Sequence, residues 1–508
     1  MVARKPVSAV PPRPAPTAAE EEAQRYLRMT SFALLGVTLV RLFWLAGNPI
    51  DLYPDEAQYW LWSQSLAFGY YSKPPLIAWL IALTTSVFGE DEFGIRVASP
   101  LLHFVTGFVV YGIGKQLYGP RIGCWSAIAY ITLPAVFLSA AIISTDVPLL
   151  LCWAAALYAF IRAREEGASA EASRRWWIAT GVAIGFGLLA KYAMAYWLIS
   201  ALILVIAVRE ERRHLKPLLG ATALGLVIYA PNFVWNALTG WASYRHTGAN
   251  ASLGGSLFHP GAFLEFFSAQ FGVFGPLLFG ALLAIAIVFP RALAERQARL
   301  LAMFALPTLA MMLIVSFLSR AHANWSAPTY VSATVLVVAW LIEKRRFVLV
   351  AASVALHVLL AIAVVGAKPA AASLDLRLPA KYDLLHRVRG WRILGNAVGS
   401  MLLHRPGVTL LGDSREVLAS LIYYIRPHPF DAAIWNPGGG ARNMFELSTD
   451  LSRLVGHDFL FVMEDEMPPW TAARFTSVSA PSHIVIPLGP GLERRYYVYD
   501  AIGFKGYR

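Results

Sequence analysis

The residues best suited to chemistry lie in a polar segment that follows the first long apolar run. Asp55 and Glu56 stand together in YPDEAQYW, and Lys73 follows in SKPP. A carboxylate can take a proton from a hydroxyl group, and a lysine can neutralise an anion such as phosphate. The Trp and Tyr residues between them place this segment at the headgroup level of a membrane. The alternative to a catalytic role is an amphipathic interfacial segment whose charges are simply solvated.

A second carboxylate, Asp146, begins another apolar run in STDVPLLL. Ser144 and Thr145 before it and Pro148 after it are also good signals for a helix start, so capping is the alternative role. Lys191 stands between two apolar runs, where it can meet an anion or end a helix. Two acids and a lysine on one face could bind an acceptor hydroxyl and a phosphate.

The composition indicates what must position these residues. Hydrophobic residues make up 57% of the 508 residues, charged residues make up 15%, and the mean hydropathy is +0.54. These values are typical of a polytopic membrane protein. The net charge of +12 then indicates basic cytoplasmic loops rather than nucleic-acid binding. Two cysteines, Cys124 and Cys152, are too few for a cysteine metal site.

A transmembrane helix needs about 20 mostly apolar residues. The eleven predicted spans are 30–47, 95–115, 122–141, 146–163, 176–190, 193–208, 217–235, 276–290, 299–318, 326–342 and 347–366, with an upper limit of thirteen. The apolar run 74–88 is predicted to lie along the outer face. The reason is parity, because an odd number of crossings must separate the polar segment from the basic residue Lys115.

Basic clusters define the predicted orientation. The positive-inside rule places the N-terminus in the cytoplasm, because it carries five arginines or lysines before the first span. With eleven crossings, the basic clusters of five further loops all fall on that same side: 115–121, 162–175, 209–216, 291–299 and 344–346. The segment 48–94, Asp146, Lys191 and the C-terminus then face the outer side of the membrane.

Three parts follow along the chain. Residues 1–29 are predicted to form a disordered cytoplasmic tail, because Pro and Ala are frequent near their start. Residues 30–366 form the transmembrane helix bundle. From 367 to 508 charges return, and a small α/β domain on the outer side is predicted. Its predicted strands are 408–411, 459–463, 483–487 and 496–499, and its helical stretches are 416–425 and 450–455.

Several motifs occur in the order of a known family. YPDEAQYW, YYSKPPLIAWL, FGEDEFGIRVASPLL and STDVPLL together resemble the C-type membrane glycosyltransferases of family 39, which include protein O-mannosyltransferases and the bacterial lipid A aminoarabinose transferase. The likeness continues through PNFVWNALTGWASYRHT and HANWSAPTYVSA and covers residues 30–366. It implies transfer of a sugar, with inversion, from a polyprenyl-phosphate donor to an envelope acceptor. That acceptor could be lipid A, another glycolipid or a protein. The reaction would take place at the outer, periplasmic face of a bacterial inner membrane.

The resemblance also implies roles for individual residues. Asp55 corresponds to the catalytic acid of the family, Asp146 to its second outer Asp, and Lys73 to the lysine near the donor phosphate. The predicted catalytic residues are Asp55, Glu56 and Asp146; those for the donor phosphate are Lys73, Arg96, Lys191, His322 and Tyr330; those for the substrate are Gln58, Tyr59, Asn324 and Trp325. Arg245 is a further candidate cation. Arg96 could instead be a snorkelling anchor, and His322 an interfacial hydrogen-bonding residue.

Two departures from the family pattern bear on the substrate. The aminoarabinose transferases carry Arg at the position of Gln58, and they carry Glu at the position of Ser72, where a structural metal can bind. We therefore predict no metal and no other cofactor, and aminoarabinose itself is disfavoured as the sugar. His246 and His259, both in the predicted fourth outer loop, are too widely spaced to predict a metal site.

Two other functions fit parts of the sequence. A transporter or flippase for a lipid-linked or anionic substrate would share the spans and charges, but internal repeats and helices broken at the midplane are expected there. A non-catalytic assembly factor would tolerate the loss of Asp55. The favoured hypothesis is that the protein is a monomeric enzyme whose partners are a lipid-linked donor, an envelope acceptor and membrane lipids. The sequence leaves the sugar and the acceptor open.

Overall fold

The computed structural model describes residues 17–47, 50–167, 169–251, 258–288, 294–373, 386–489 and 492–507. The first part of the chain is helical. Its helices are α1 (Ala18–Gly47), α2 (Pro54–Ser63), α3 (Leu76–Phe88), α4 (Glu92–Arg96), α5 (Ala98–Tyr118), α6 (Pro120–Thr132), α7 (Pro134–Ala141), α8 (Asp146–Ala163), α9 (Ala170–Ala190), α10 (Ala195–Ala207), α11 (Leu215–Leu238), α12 (Ala242–Ala251), α13 (Pro260–Phe274), α14 (Pro276–Ile287), α15 (Arg296–Leu318), α16 (Thr329–Glu343) and α17 (Phe347–Ser373).

Within the described residues, six helices are long and apolar enough to cross a membrane, or up to eight if each of two bent helix pairs counts as one span. Each predicted span overlaps one of the helices above, and the number of crossings stays a prediction. Helix α3 has 13 residues and is therefore about 20 Å long. This is short of the roughly 30 Å of a hydrocarbon core. The helices α10 and α14, which lie in predicted spans, have 13 and 12 residues, so whether α3 crosses stays a prediction.

The predicted disordered tail is wrong for residues 18–29, because α1 begins at Ala18. Residues 1–16 lie outside the described residues. Thr17 and Glu20 cap the start of α1, with the Thr17 backbone N–H donating to Glu20 Oε2 at 2.8 Å and the Glu20 N–H donating to Thr17 Oγ1 at 3.3 Å. Alanine and glutamate in the first turns favour helix. A search for apolar runs does not detect this signal.

The predicted fourth outer loop also differs from the structure, because it contains the helices α12 and α13. Helices α13 and α14 meet at an angle of 117°. Gly275 between them has a φ of +86°, which other residues adopt only with strain. A Cβ atom at Gly275 would also collide with the His357 ring of α17. The sharp bend therefore depends on this glycine.

The C-terminal part forms a six-stranded sheet. Its elements are α18 (Trp391–Leu403), β1 (Thr409–Gly412), α19 (Arg415–Tyr424), β2 (Ala433–Ile434), α20 (Met444–Ser448), β3 (Phe459–Met463), α21 (Pro469–Ala472), β4 (Phe475–Val478), β5 (Ser482–Gly489) and β6 (Leu492–Phe504). Strands β2, β1 and β3 are parallel neighbours, and β6 pairs antiparallel with β3, β4 and β5. The four predicted strands are confirmed. The predicted helical stretch 416–425 is confirmed as α19, and the stretch 450–455 contains a 3-10 helix (Leu451–Leu454). The sequence analysis missed β2, β4, α18, α20 and α21.

The sheet domain shares a hydrophobic core with the segment that follows α1. Residues of α2, α3, α18 and α19 belong to one buried cluster. The rings of Trp60 and Tyr423 meet edge to face with centroids 4.9 Å apart. The Tyr424 hydroxyl accepts from the Leu52 N–H at 2.6 Å and donates to Glu92 at 3.0 Å. The C-terminal domain is therefore fixed directly on the polar segment that carries Asp55.

Candidate active site

A cavity of about 570 Å³ lies between the polar outer segment, the starts and ends of several membrane helices, and the C-terminal domain. Most of the predicted site residues line it. These are Asp55, Gln58, Tyr59, Lys73, Asp146, Lys191, His322, Asn324 and Trp325. Ser72 and His246 line it as well. Residues from six separate stretches of the membrane part therefore converge on one space.

Helix α2 positions Asp55 at the edge of this cavity. Pro54 occupies the first turn of α2, where its missing N–H costs nothing. A carboxylate in the first turn also interacts favourably with the helix dipole. The Asp55 side chain is 38% exposed, and Oδ1 accepts from Arg415 Nη1 at 2.8 Å. Asp55 is thus held at a rigid helix end and still faces open space.

The adjacent residue, Glu56, has a different environment. Its side chain is 1% exposed and forms a bidentate pair with Arg96 at 2.6 and 2.9 Å. Glu56 also accepts from the Tyr53 and Ile143 N–H groups, each at 2.8 Å. Arg96 donates its remaining hydrogen bonds to backbone carbonyls. This placement gives no support to a catalytic Glu56 or to Arg96 as a phosphate ligand or snorkelling anchor, because the pair is buried and satisfied.

Lys73 is positioned by a tight loop between α2 and α3. The backbones of Tyr70 and Lys73 hydrogen-bond to each other at 3.1 and 3.3 Å. Helix α11 fixes this loop, because Asn232 Nδ2 donates to the Phe68 carbonyl at 2.6 Å. A Cβ atom at Gly69 would lie 2.4 Å from the Trp235 ring, so only glycine allows this close approach. The PNFVWN motif of α11 therefore supports the loop that carries Lys73.

The charge of Lys73 is unbalanced in the described structure. Among the described residues, Lys73 forms no ion pair within 4 Å. Burial lowers its pKa below the usual range, the positive charge of Lys191 adds to this effect, and Asp55 and Asp146 oppose it. A lysine in such a position gains from a bound anion. The cavity thus contains a cation that favours phosphate.

Asp146 forms the second charged group of the cavity. The helix α8 begins at Asp146, where the sequence signals place a helix start, but no side chain caps it, so the structure does not support the alternative capping role. The carboxylate of Asp146 instead accepts from Lys191 Nζ at 2.7 Å and from Asn324 Nδ2 at 2.8 Å. Lys191 also ends α9, so both of its predicted roles are compatible with its position.

His322 lines the cavity, and its ring lies 5.3 Å from the ring of Trp325. Burial and the charges of Arg320 and Lys191 lower the pKa of His322, which favours the neutral ring. Tyr330 lies apart from the cavity lining. Its hydroxyl donates to Gln270 at 2.6 Å, and its ring stacks on Phe274 at 4.4 Å. The structure therefore gives no support to phosphate contact by Tyr330.

Arg245 is an exposed residue outside the cavity lining. His246 lines the cavity and His259 does not, so the structure does not bring these two histidines together there. Within the described residues, no group of three or more His, Cys, Asp or Glu side chains could hold a metal ion. The absence of a metal stays a prediction.

The sequence analysis missed the residues that the C-terminal domain contributes. Arg387, Arg415, Arg442 and Asn443 all line the cavity. Arg415 Nη1 hydrogen-bonds to both Asp55 and Gln58 Oε1. It therefore supplies a guanidinium beside Gln58, where the sequence analysis found a family cation missing. Arg415 follows the parallel strand β1, and the carboxyl ends of parallel strands commonly carry binding sites. The position of Arg415 shortly after a predicted strand was therefore the signal in the sequence that could have identified it.

The arrangement combines one exposed carboxylate with an excess of positive charge. Five Lys or Arg side chains and two Asp side chains line the cavity. Asp55 can take a proton, and the cations can stabilise a leaving group that develops negative charge. This is the chemistry of substitution at a phosphate-linked carbon.

Known proteins resemble this chain in sequence and in fold. The sequence profile of the family described as dolichyl-phosphate-mannose-protein mannosyltransferase matches residues 72–235. The lipid A galacturonosyltransferase of Rhizobium johnstonii is 30% identical over 437 residues, which cover 85% of this chain and 90% of that protein. The undecaprenyl phosphate-alpha-4-amino-4-deoxy-L-arabinose arabinosyl transferase of Pseudomonas aeruginosa is 30% identical over 188 residues, 34% of each chain.

A crystal structure of the enzyme ArnT from Cupriavidus metallidurans, bound to undecaprenyl phosphate, superposes with a TM-score of 0.60 over 95% of this chain and 98% of that one, at 17% identity. This likeness concerns the fold. With the sequence relatives, it shows that the chain belongs to the C-type membrane glycosyltransferases. The cavity described above is accordingly the candidate active site of a glycosyltransferase.

Proposed function

We propose that this protein transfers a sugar from a polyprenyl-phosphate donor to a lipid A-type glycolipid, with Asp55 as the general base. The observation that carries the proposal is that Asp55 faces the same cavity as Lys73, which has no ion-pair partner among the described residues. The acceptor hydroxyl would lie at Asp55, and the donor phosphate would lie near Lys73 and Lys191. The names of the relatives support this donor class and this acceptor class.

The reaction is a direct displacement. The acceptor oxygen forms a bond to the anomeric carbon while the bond from that carbon to the phosphate oxygen breaks. Asp55 receives the hydroxyl proton, and polyprenyl phosphate leaves with the electron pair and an additional negative charge. Lys73 attracts the phosphate of the donor when it binds, and it also stabilises the charge that this phosphate gains as it leaves. One displacement inverts the configuration at the anomeric carbon.

The excess of positive charge also supports a choice of sugar. Asp55 and Asp146 are already paired with Arg415 and Lys191. A phosphodiester donor supplies one negative charge opposite Lys73. Arg442 is paired with Glu446, and Arg387, which has no ion-pair partner within 4 Å among the described residues, is available for a second negative charge. A hexuronic acid supplies it through its carboxylate, whereas a cationic amino sugar would be repelled. The galacturonosyltransferase relative supports the same choice.

A reconstituted assay tests the function and the sugar together. Purified protein in lipid receives a lipid A acceptor and either a polyprenyl-phosphate hexuronic acid or a polyprenyl-phosphate amino sugar. We expect mass spectrometry to show a uronic acid added to lipid A with the first donor and little product with the second. Preference for the amino sugar would contradict the choice of sugar. Absence of product with every lipid-linked donor, while lipid-linked sugar crosses the bilayer, would support a transporter instead.

The orientation of the site is part of the proposal. Eleven crossings with a cytoplasmic N-terminus would place the cavity and the C-terminal domain in the periplasm of the inner membrane. Alkaline phosphatase fused after residue 366 and at residue 508 should then be active in cells. Inactive reporter at both sites would show that the number of crossings is wrong by one.

A further inference from the structure

The ion pair between Asp55 and Arg415 joins two parts of the chain that are separated by 360 residues. We infer that Arg415 is a positioning residue for the reaction: it holds one oxygen of Asp55 so that the other faces the acceptor hydroxyl. This inference rests on the proposed function, because it concerns the base of that reaction. It makes the C-terminal domain part of the active site.

The geometry matches what a general base requires. A base is most effective when a third group fixes its orientation toward the reacting proton. Arg415 Nη1 donates to Asp55 Oδ1 at 2.8 Å and also contacts Gln58 Oε1. Among the described residues, Asp55 Oδ2 has no hydrogen-bond partner and the side chain is 38% exposed. One oxygen is therefore held and the other is available.

Arg415 is itself fixed and charged. It occupies the first position of α19. Burial lowers the pKa of Arg415, but Asp55, Glu416 and Tyr59 together outweigh this effect, and the net shift is upward. Gln58 lies one turn after Asp55 on α2 and accepts from the same guanidinium. Helix α19 therefore carries Arg415, and two side chains of helix α2 hold its guanidinium. A flexible surface arginine would have no such contacts.

The docking of the C-terminal domain does not depend on Arg415. The other end of α19 contacts the outer segment through Tyr423, whose hydroxyl donates to the Glu90 carbonyl at 2.9 Å, and through Tyr424. The Trp391 N–H donates to Asp51 Oδ2 at 2.8 Å. Replacing Arg415 should therefore leave the domain in place and disturb only the orientation of Asp55.

The chain offers a matched control. Arg405 and Asp500 form an ion pair within the C-terminal domain whose side chains are 32% and 35% exposed, close to the 30% and 38% of Arg415 and Asp55. Neither lines the cavity. Arg405→Ala removes a similar interaction from the same domain at a distance from the reaction, so it reports any general effect on folding.

The test is a double-mutant cycle on full-length protein in lipid, measured as single-turnover transfer from a polyprenyl-phosphate hexuronic acid to lipid A. We expect Arg415→Ala to lower the rate roughly tenfold to hundredfold, Arg415→Lys to lower it less, and Arg405→Ala to leave it unchanged. If Arg415 acts through the base, Arg415→Ala should add little to the loss already caused by Asp55→Asn. The donor KM should change less than the turnover.

Three results would overturn the inference. The first is a normal rate for Arg415→Ala. The second is an equal loss for Arg405→Ala, which would indicate a general effect on the domain. The third is that Arg415→Ala lowers the rate by the same factor in the Asp55→Asn variant as in wild type. This would mean that Arg415 contacts the substrate and does not act through Asp55. A failure of the proposed function is distinguishable, because wild type itself would then give no transfer. A wild-type rate for Asp55→Asn would instead show that Asp55 is not the base.

Discussion

Helix α8 runs between two clusters of charged residues, of which one lines a large cavity and the other contains a buried ion pair. At its start, Asp146 pairs with Lys191 beside a cavity of about 570 Å³. Just beyond its end, Arg164 donates to Glu211 at 2.9 Å, and their side chains are only 4% and 2% exposed. Both clusters contain acids and bases at the edge of a helix bundle. In the first, Asp146 and Lys191 line the large cavity, whereas in the second the Arg164–Glu211 pair is almost completely buried.

This difference distinguishes a charged cluster that can bind a ligand from one that stabilises the fold. In the Arg164 cluster, Arg296 contacts both Glu211 and Glu166, so the negative charges are satisfied within the protein. In the cavity, cations exceed carboxylates and Lys73 lacks an ion-pair partner among the described residues. A polar cluster near a membrane therefore indicates a site only where charge remains unbalanced and space remains open. The following predictions test this contrast.

The largest effect is expected at Asp55. Asp55→Asn keeps the shape of the side chain but cannot accept the acceptor proton, so we expect a loss of about 10² to 10⁴ in transfer rate. The protein should insert and bind the lipid donor normally. Transfer measured at equal protein level in the membrane checks this. A normal rate would remove Asp55 from the mechanism.

At the closed cluster we expect a loss of stability instead of activity. Glu211→Ala leaves Arg164 buried without its partner, which typically costs about 3–5 kcal/mol. Thermal unfolding in detergent should show a large decrease in Tm. Glu165→Ala is the control, because the Arg162–Glu165 pair is 31% and 42% exposed and such pairs contribute about 1 kcal/mol or less. Equal effects of the two variants would contradict the distinction.

At Lys73 the expected effect is on donor binding. Lys73→Ala removes a cation beside the phosphate and should raise the donor KM by roughly tenfold to hundredfold. Lys73→Arg keeps the charge and should retain much more activity. Steady-state kinetics with varied donor checks this. Equal donor KM values for the Ala variant and wild type would exclude Lys73 from the phosphate site.

The pH dependence should report the same lysine. The pKa of Lys73 is lowered by burial and by Lys191, and only the protonated form attracts phosphate. Donor binding should therefore be strong at low pH and weaken as the pH rises through a value below the ordinary 10.5 of lysine. Lys73→Arg should remove this alkaline decrease, because arginine stays charged. A decrease that persists in the arginine variant would assign it to another group.

The smallest effect is expected at Asp146. Both of its oxygens already accept hydrogen bonds from Lys191 and Asn324, so it is better placed to orient groups than to take a proton. Asp146→Asn should lower the transfer rate by about tenfold or less. A loss equal to that of Asp55→Asn would show that the two acids share the proton transfer.

The sequence by itself determined the membrane class, four strands of the C-terminal domain and the residues Asp55, Lys73 and Asp146. These are local properties. Apolar runs predict spans without knowledge of their neighbours, and β-type runs predict strands in the same way. The motifs placed the three residues at one face because the basic loops indicated which ends of the predicted spans lie outside.

The tertiary structure decided which charges are open and which are closed. Asp55 and Glu56 are adjacent, but successive residues of a helix point about 100° apart, and their partners then differ. Glu56 meets Arg96, 40 residues away, in a buried pair. Asp55 meets Arg415, 360 residues away, at the cavity. Contacts at such separations depend on how the C-terminal domain packs on the outer segment, and no local pattern encodes that packing.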